Sequence, residues 1–124
     1  MKKLQTSSVK CSTVFGRIQF IMERDKPYLS SDFNLTDLSS AVFTNKTYIS
    51  MVIRDVTGMN FNQFINSYRV NYAKELIKKN PAIKMKDICR QSGFGTDVSL
   101  ISAFKAHEGL TPGLYARMIR FKED

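Results

Sequence analysis

The sequence of 124 residues has no tryptophan, one histidine, two cysteines and three prolines. Cys11 and Cys89 lie far apart with no second thiol or histidine at ligand spacing, which excludes a disulfide framework and a thiolate metal site. Two isolated cysteines suit a reducing compartment. The single histidine, His107, has no carboxylate or thiol at catalytic or ligand spacing and reads as a surface group near a helix end. There is no phosphate-cradling glycine motif, no metal-ligand spacing and no nucleophile elbow, so the expectation is a protein that is not an enzyme and has no cofactor. No apolar run approaches the ~20 residues of a membrane span. The charged start MKKLQTSS continues into VKCSTVFGR rather than into the apolar core of a signal peptide. A soluble, cytoplasmic chain with no membrane partner is expected.

Acidic residues are also scarce: 11 Asp and Glu stand against 19 Lys and Arg, giving a formal charge of +8 and a pI near 9.7. Such an excess favours polyanionic partners, with nucleic acid first and acidic membrane surfaces second. Hydrophobic residues make up 43% of the chain, enough for one compact domain or two small helical subdomains sharing a connector.

Residues 1–13 are rich in Ser, Thr and Lys, and the composition predicts a flexible tail without assigned structure. Phe15, Ile18, Ile21 and Met22 recur at helical spacing and predict a first helix over about 14–25, closed by Pro27. Thr36 is the expected N-cap of a short helix with Leu38, Ala41 and Val42 on one face, interrupted by Phe43-Thr44-Asn45. The next helix starts at Asn45, turns Ile49, Val52, Ile53 and Val56 inward, and stops at Thr57-Gly58. Asn60 and Gln63 form a capping box, and Phe61, Phe64, Ile65, Tyr68, Tyr72, Ala73, Leu76 and Ile77 carry one long helix to about Lys79, before Asn80-Pro81.

Beyond the break, Met85, Ile88 and Cys89 mark another short helix, and Gly93-Phe94-Gly95 a turn. Thr96 caps a helix with Leu100, Ala103 and Phe104 inward, and Gly109 stops it. Thr111 and Pro112 open a final helix at the N-cap and N1 positions. Sustained strand-type alternation is missing, so the expected fold is all-α, with about seven helices. The domain is expected over 14–124: a first helix-turn-helix unit over about 14–59, a connector helix over about 60–80 and a second unit over about 82–120. Phe15, Phe61, Phe64, Phe94, Phe104 and Tyr115 fall on apolar faces and are expected in the core, and Arg69 is expected in a structural ion pair.

The chain partly overlays itself at a shift of about fifty residues. Leu38 falls on Ile88, and Ile49, Ile53, Gly58 and Phe64 fall on Leu100, Phe104, Gly109 and Tyr115. Helix, turn, helix, glycine stop and aromatic helix thus occur twice. The stretches TNKTYISMVIRDVTGMNFNQFINSYRVNYAKELI and DICRQSGFGTDVSLISAFKAHEGLTPGLYARMI resemble the DNA-binding domain of AraC-type transcription regulators, over about Tyr28 to Ile119. The most specific matches are Gly93-Phe94, Phe104-Lys105, Gly109, Thr111-Pro112, Tyr115 and the run from Tyr68-Arg69 to Ala73.

The resemblance implies a protein that lays two recognition helices, here about 45–56 and 97–107, into adjacent major-groove segments of double-stranded DNA. It further implies RNA polymerase as a partner, and a sensor or dimerisation domain if the chain is a fragment of a larger regulator. The connector gives independent support, since at 1.5 Å per residue it would be ~30 Å long, close to the ~34 Å between successive turns of one groove. On the first recognition helix the candidate contacts are Asn45, Lys46, Thr47, Ser50, Met51 and Arg54. Lys46 and Arg54 suit phosphates, Thr47 and Ser50 suit base edges, and the methyl groups of Thr47 and Met51 suit thymine. On the second they are Thr96, Asp97, Val98, Ile101, Ser102 and Lys105.

Here the sequence departs from the family. A basic residue is common where Ser102 stands, and Arg is frequent where Met51 stands. Readout through thymine methyls, readout of DNA shape, or docking of the second unit on the backbone or on another protein all remain open. Asp97 near a helix start is expected to satisfy the helix dipole. The alternative function is a helical protein-interaction module with weak or non-specific DNA binding, which exposed Val98 and Ile101 would favour.

Overall fold

The computed structural model describes the backbone of residues 2–123 and the side chains of residues 13–122. Seven α-helices follow one another: α1 (Lys2–Asp25), α2 (Leu35–Ala41), α3 (Lys46–Thr57), α4 (Phe61–Lys79), α5 (Met85–Ser92), α6 (Asp97–Glu108) and α7 (Pro112–Glu123). A single 3-10 turn, Pro27–Leu29, lies between α1 and α2. No strand occurs among the described residues, so the all-α expectation holds. The chain divides into two compact units, Met1–Pro27 with Phe33–Phe64, and Tyr28–Asp32 with Ile65–Asp124. The long helix α4 therefore contributes its first turn to one unit and the remainder to the other.

Local chemistry explains most helix boundaries. Asn45 caps α3 by accepting the Tyr48 backbone N–H at 2.9 Å, and Thr96 caps α6 by accepting that of Ser99 at 3.1 Å. Asn60 and Gln63 close a reciprocal capping box ahead of α4, at 2.8 and 2.9 Å. Gly58, Gly93 and Gly109 end α3, α5 and α6 in the left-handed region, where a side chain is strained. Thr111 accepts from the Leu114 N–H at the start of α7, with Pro112 in the first helical position.

Three expectations about helix starts and helix faces need correction. The backbone is helical from Lys2, not from about residue 14; the stretch has a polar composition, but it contains no proline and no glycine before Gly16 to break a helix. The cap of α2 is Asn34 rather than Thr36. Its side chain and that of Asp37 exchange hydrogen bonds with each other's backbone N–H groups at 3.0 and 3.1 Å, which starts the helix two residues earlier. Ala41 and Val56 are exposed rather than inward-facing. Periodicity gives the direction of a side chain, whereas cover depends on how far the neighbouring helix extends, and Val56 lies in the last turn of α3.

Each unit has its own core. In the first, Ile18 and Met22 of α1, Leu38 of α2, Ile49, Val52 and Ile53 of α3, and Phe64 of α4 are buried. Phe15 adds a tilted ring contact with Phe64 at 5.8 Å. In the second, Val70, Ala73 and Ile77 of α4 pack with Ile88 and Cys89 of α5, Phe94 of the turn, and Leu100, Ala103 and Phe104 of α6. Tyr115 of α7 meets Phe104 edge-on at 5.5 Å. Burying each such Leu, Ile or Phe side chain contributes about 1.5–3 kcal/mol, so these cores fix the rotation of α3 and α6 about their own axes.

The short segment Tyr28–Asp32 is strapped to the second unit. Tyr28 is buried, stacks on Tyr68 at 5.4 Å and meets Tyr72 edge-on at 6.4 Å. Burial, followed by the neighbouring Tyr72 and Tyr68, pushes its phenol above the ordinary range. Arg69 does not form the expected ion pair among the described residues. Its Nε and one terminal nitrogen instead donate to the carbonyls of Tyr28 and Ser30 at 2.7 and 2.9 Å, and burial lowers its pKa. The turned backbone of the strap presents two carbonyls that a guanidinium fork can bridge.

Candidate nucleic-acid interface

In each unit a short helix, a tight turn and a capped twelve-residue helix occur in sequence: α2–α3 in the first and α5–α6 in the second. Ile49, Val52 and Ile53 are buried on α3; Leu100, Ala103 and Phe104 are buried on α6. At about 100° per residue, the direction opposite these triads is occupied on α3 by Thr47, Ser50, Met51 and Arg54, and on α6 by Val98, Ile101, Ser102 and Lys105. All of them are exposed except Ser50, which is half-buried. The register that places Ile49 on Leu100 and Ile53 on Phe104 also pairs Thr47 with Val98, Ser50 with Ile101, Met51 with Ser102, and Arg54 with Lys105. The two stripes are positional equivalents.

The remaining sequence candidates sit at the helix starts. Asn45 and Thr96 are exposed but committed to capping, and Lys46 and Asp97 take the first helical positions. Asp97 also faces the buried thiol of Cys89, which donates to the Phe94 carbonyl at 3.3 Å. Burial first, then the charge and hydrogen bond of Asp97, push that thiol up, which keeps it neutral and unreactive. Asp97 is exposed in the first turn of α6, where a carboxylate suits the helix dipole. His107 is exposed in the last turn of α6, as expected.

Electrostatics differ between candidates. Lys46, Arg54 and Lys105 have no ion pair among the described residues, so their charge is available at the surface. Lys74 of α4 is instead paired with Glu108 at 3.0 Å, which anchors the C-terminal end of α6 within the second unit. Two basic residues escaped the sequence reading. Lys86 and Arg90 lie on α5 beside a cleft of about 380 Å³ at the start of α6, lined also by Ser31, Gly95, Thr96 and Asp97. Arg90 is held by Asp87 at 3.2 Å, and both basic groups are exposed. Their i, i+4 spacing on the outward side of α5 was the available signal.

Two capped helices of one length, each inside a helix-turn-helix and each presenting the same four outward positions, define a domain with paired helix-turn-helix motifs. Residues 38–118 match the family model described as Helix-turn-helix domain, and the chain belongs to that family, of the AraC type. Among relatives, it is 28% identical over 90 residues to the HTH-type transcriptional regulator YtdP of Bacillus subtilis, covering 73% of this chain and 12% of YtdP. It is also 28% identical over 96 residues to the transcriptional regulatory protein YesN of Bacillus subtilis, covering 77% of this chain and 25% of that one. The chain therefore spans a quarter or less of these two relatives.

Among solved structures, the C-terminal domain of the two-component response regulator yesN from Fusobacterium nucleatum matches with a TM-score of 0.69 and 29% identity, covering 80% of this chain and 93% of that one. The DNA-binding domain of AdpA, solved in complex with a target DNA, matches with a TM-score of 0.74 at 18% identity, covering 88% and 94%, and shows the shared fold. No helix among the described residues is long and apolar enough to cross a membrane.

Proposed function

We propose that this chain is the sequence-specific DNA-binding module of a transcription regulator, with α3 and α6 entering two segments of one duplex's major groove. The observation that carries this reading is the pair of equivalent outward stripes set opposite fully buried triads. It is supported by the names of the relatives, which are transcriptional regulators, and by the AdpA domain, whose shared fold was solved on a target DNA. Lys46, Arg54, Lys105, Lys86 and Arg90 neutralise phosphates, and Thr47, Ser50 and Met51 meet base edges. RNA polymerase, a sensor or dimerisation domain and a cytoplasmic location belong to the same proposal, supported by family membership alone.

Selection from a random DNA pool, followed by titration of the selected duplex at two salt concentrations, tests the reading. A bipartite site with halves about one helical turn apart is expected, as the length of the connector helix suggests. Log affinity should fall linearly with log salt, by about 0.9 per phosphate contacted. Arg54→Ala should weaken all sequences alike and reduce that slope by about one, whereas Thr47→Ala should change which sequences are enriched. The exposure of Val98 favours a second reading, a protein-interaction module. Affinity that is flat in salt, with no enriched sequence, would support that module and sink the regulator.

A further inference from the structure

Resting on the DNA-binding reading above, we propose that α6 reads thymine C5-methyl groups through Val98 and Ile101, so that A·T pairs specify the half of the site beneath the second unit. Val98 is 76% exposed and Ile101 37% exposed, one turn apart on the same outward stripe. Neither has a structural reason to be apolar. The inner face of α6 is already complete with Leu100, Ala103 and Phe104, and β-branched residues are weaker helix formers than the polar residues usual at exposed positions. Two adjacent aliphatic side chains facing water on a helix of a +8 protein call for a partner that is apolar at its centre and anionic at its edge.

A T-containing major groove has that composition: methyl groups on its floor and phosphates on its walls. The surroundings of the patch fit it. Lys105 continues the stripe, and Lys86 and Arg90 flank the start of α6, so cations border the aliphatic pair. No arginine stands on α6, so the bidentate guanidinium grip on guanine is missing from the stripe. Ser102 stands beside Ile101 without a charge, and the one cation of the stripe, Lys105, lies in the last turn of α6. Cytosine offers these side chains no methyl, so the discrimination is for thymine. On α3 the equivalent positions are hydroxyls, Thr47 and Ser50, and that unit can read base edges by hydrogen bonds.

The test uses the full chain and its selected duplex, with thymines replaced one at a time by deoxyuridine, which keeps the pairing and removes only the methyl. Wild type should lose about fourfold in affinity per contacted methyl, in one half of the site. The Val98→Ser/Ile101→Ser variant removes every side-chain methyl at the two exposed positions, and circular dichroism melting confirms that it folds. At the same thymines it should lose little or nothing on deoxyuridine substitution. Wild-type binding unchanged by deoxyuridine would overturn the proposal while leaving the DNA-binding reading intact. Equal losses in wild type and variant would assign the methyl dependence to α3 or to DNA shape and overturn it likewise. Duplex affinity unaffected by the double substitution would assign the patch to a protein partner, and failure to bind any duplex would overturn both readings.

Discussion

Two residues in the left-handed region show how one backbone need is met differently in the two turns. Gly93 has φ +89, and a Cβ there would lie 2.2 Å from the Tyr28 carbonyl oxygen and 2.8 Å from the Cα of Leu29. Both neighbours are backbone and cannot swing aside. Phe43, in the turn between α2 and α3, has φ +57 with its ring 92% exposed, so its strain has no compensating burial. Opposite effects follow. Gly93→Ala should destabilise the second unit by at least about 2 kcal/mol, combining left-handed strain with displacement of the strap. Phe43→Asn should stabilise the first by roughly 0.5 kcal/mol, since asparagine tolerates this region without glycine's entropic cost. Urea denaturation of both variants decides the matter, and a neutral Gly93→Ala would show that the strap is not seated against the turn.

Caps orient the helices whose stripes form the candidate interface, and cap strength can be measured by substitution. Thr96→Ala removes the acceptor for the Ser99 N–H and should cost about 1 kcal/mol, while Thr96→Asn restores most of it. If Thr96→Asn destabilises as much as Thr96→Ala, Thr96 acts through something other than its cap. These caps also make the fold legible in the sequence. Asn45, Asn60 with Gln63, Thr96 and Thr111-Pro112 are local signals, and local hydrogen bonds need no knowledge of tertiary neighbours. The Asn34 and Asp37 pair is equally local, but Thr36 lies between them with a hydroxyl suited to the same task, so residue type alone points to the wrong cap. Arg69 is not legible, because its partners are carbonyls some forty residues away along the chain, on a segment whose turned shape no periodicity reveals. Nor is the exposure of Val56, which depends on where neighbouring helices end. The outward stripes are legible, since the position opposite a buried triad follows from helix geometry alone. The environment of Asp97 is not, since it depends on the packing of Cys89 beneath the turn.

For the molecule as a whole, the repeat makes the two readers exchangeable position by position. The helices are of one length, both are capped at the start, both end at a left-handed glycine, and both bury the same three positions. The identity of each half-site is therefore set by four side chains on each helix, under the proposed function. Grafting the α3 stripe onto α6 by Val98→Thr, Ile101→Ser, Ser102→Met and Lys105→Arg leaves Leu100, Ala103 and Phe104 untouched, so the core of the second unit should persist. Each change is at an exposed site, where substitutions typically alter stability by less than about 0.5 kcal/mol. The grafted chain should select a site in which the sequence formerly read by α3 is present in both halves. The alternative outcome is equally definite. Should the grafted chain select the wild-type site, sequence is being read by DNA shape or by residues outside the stripes, because the four exchanged side chains are the only differences between the two proteins.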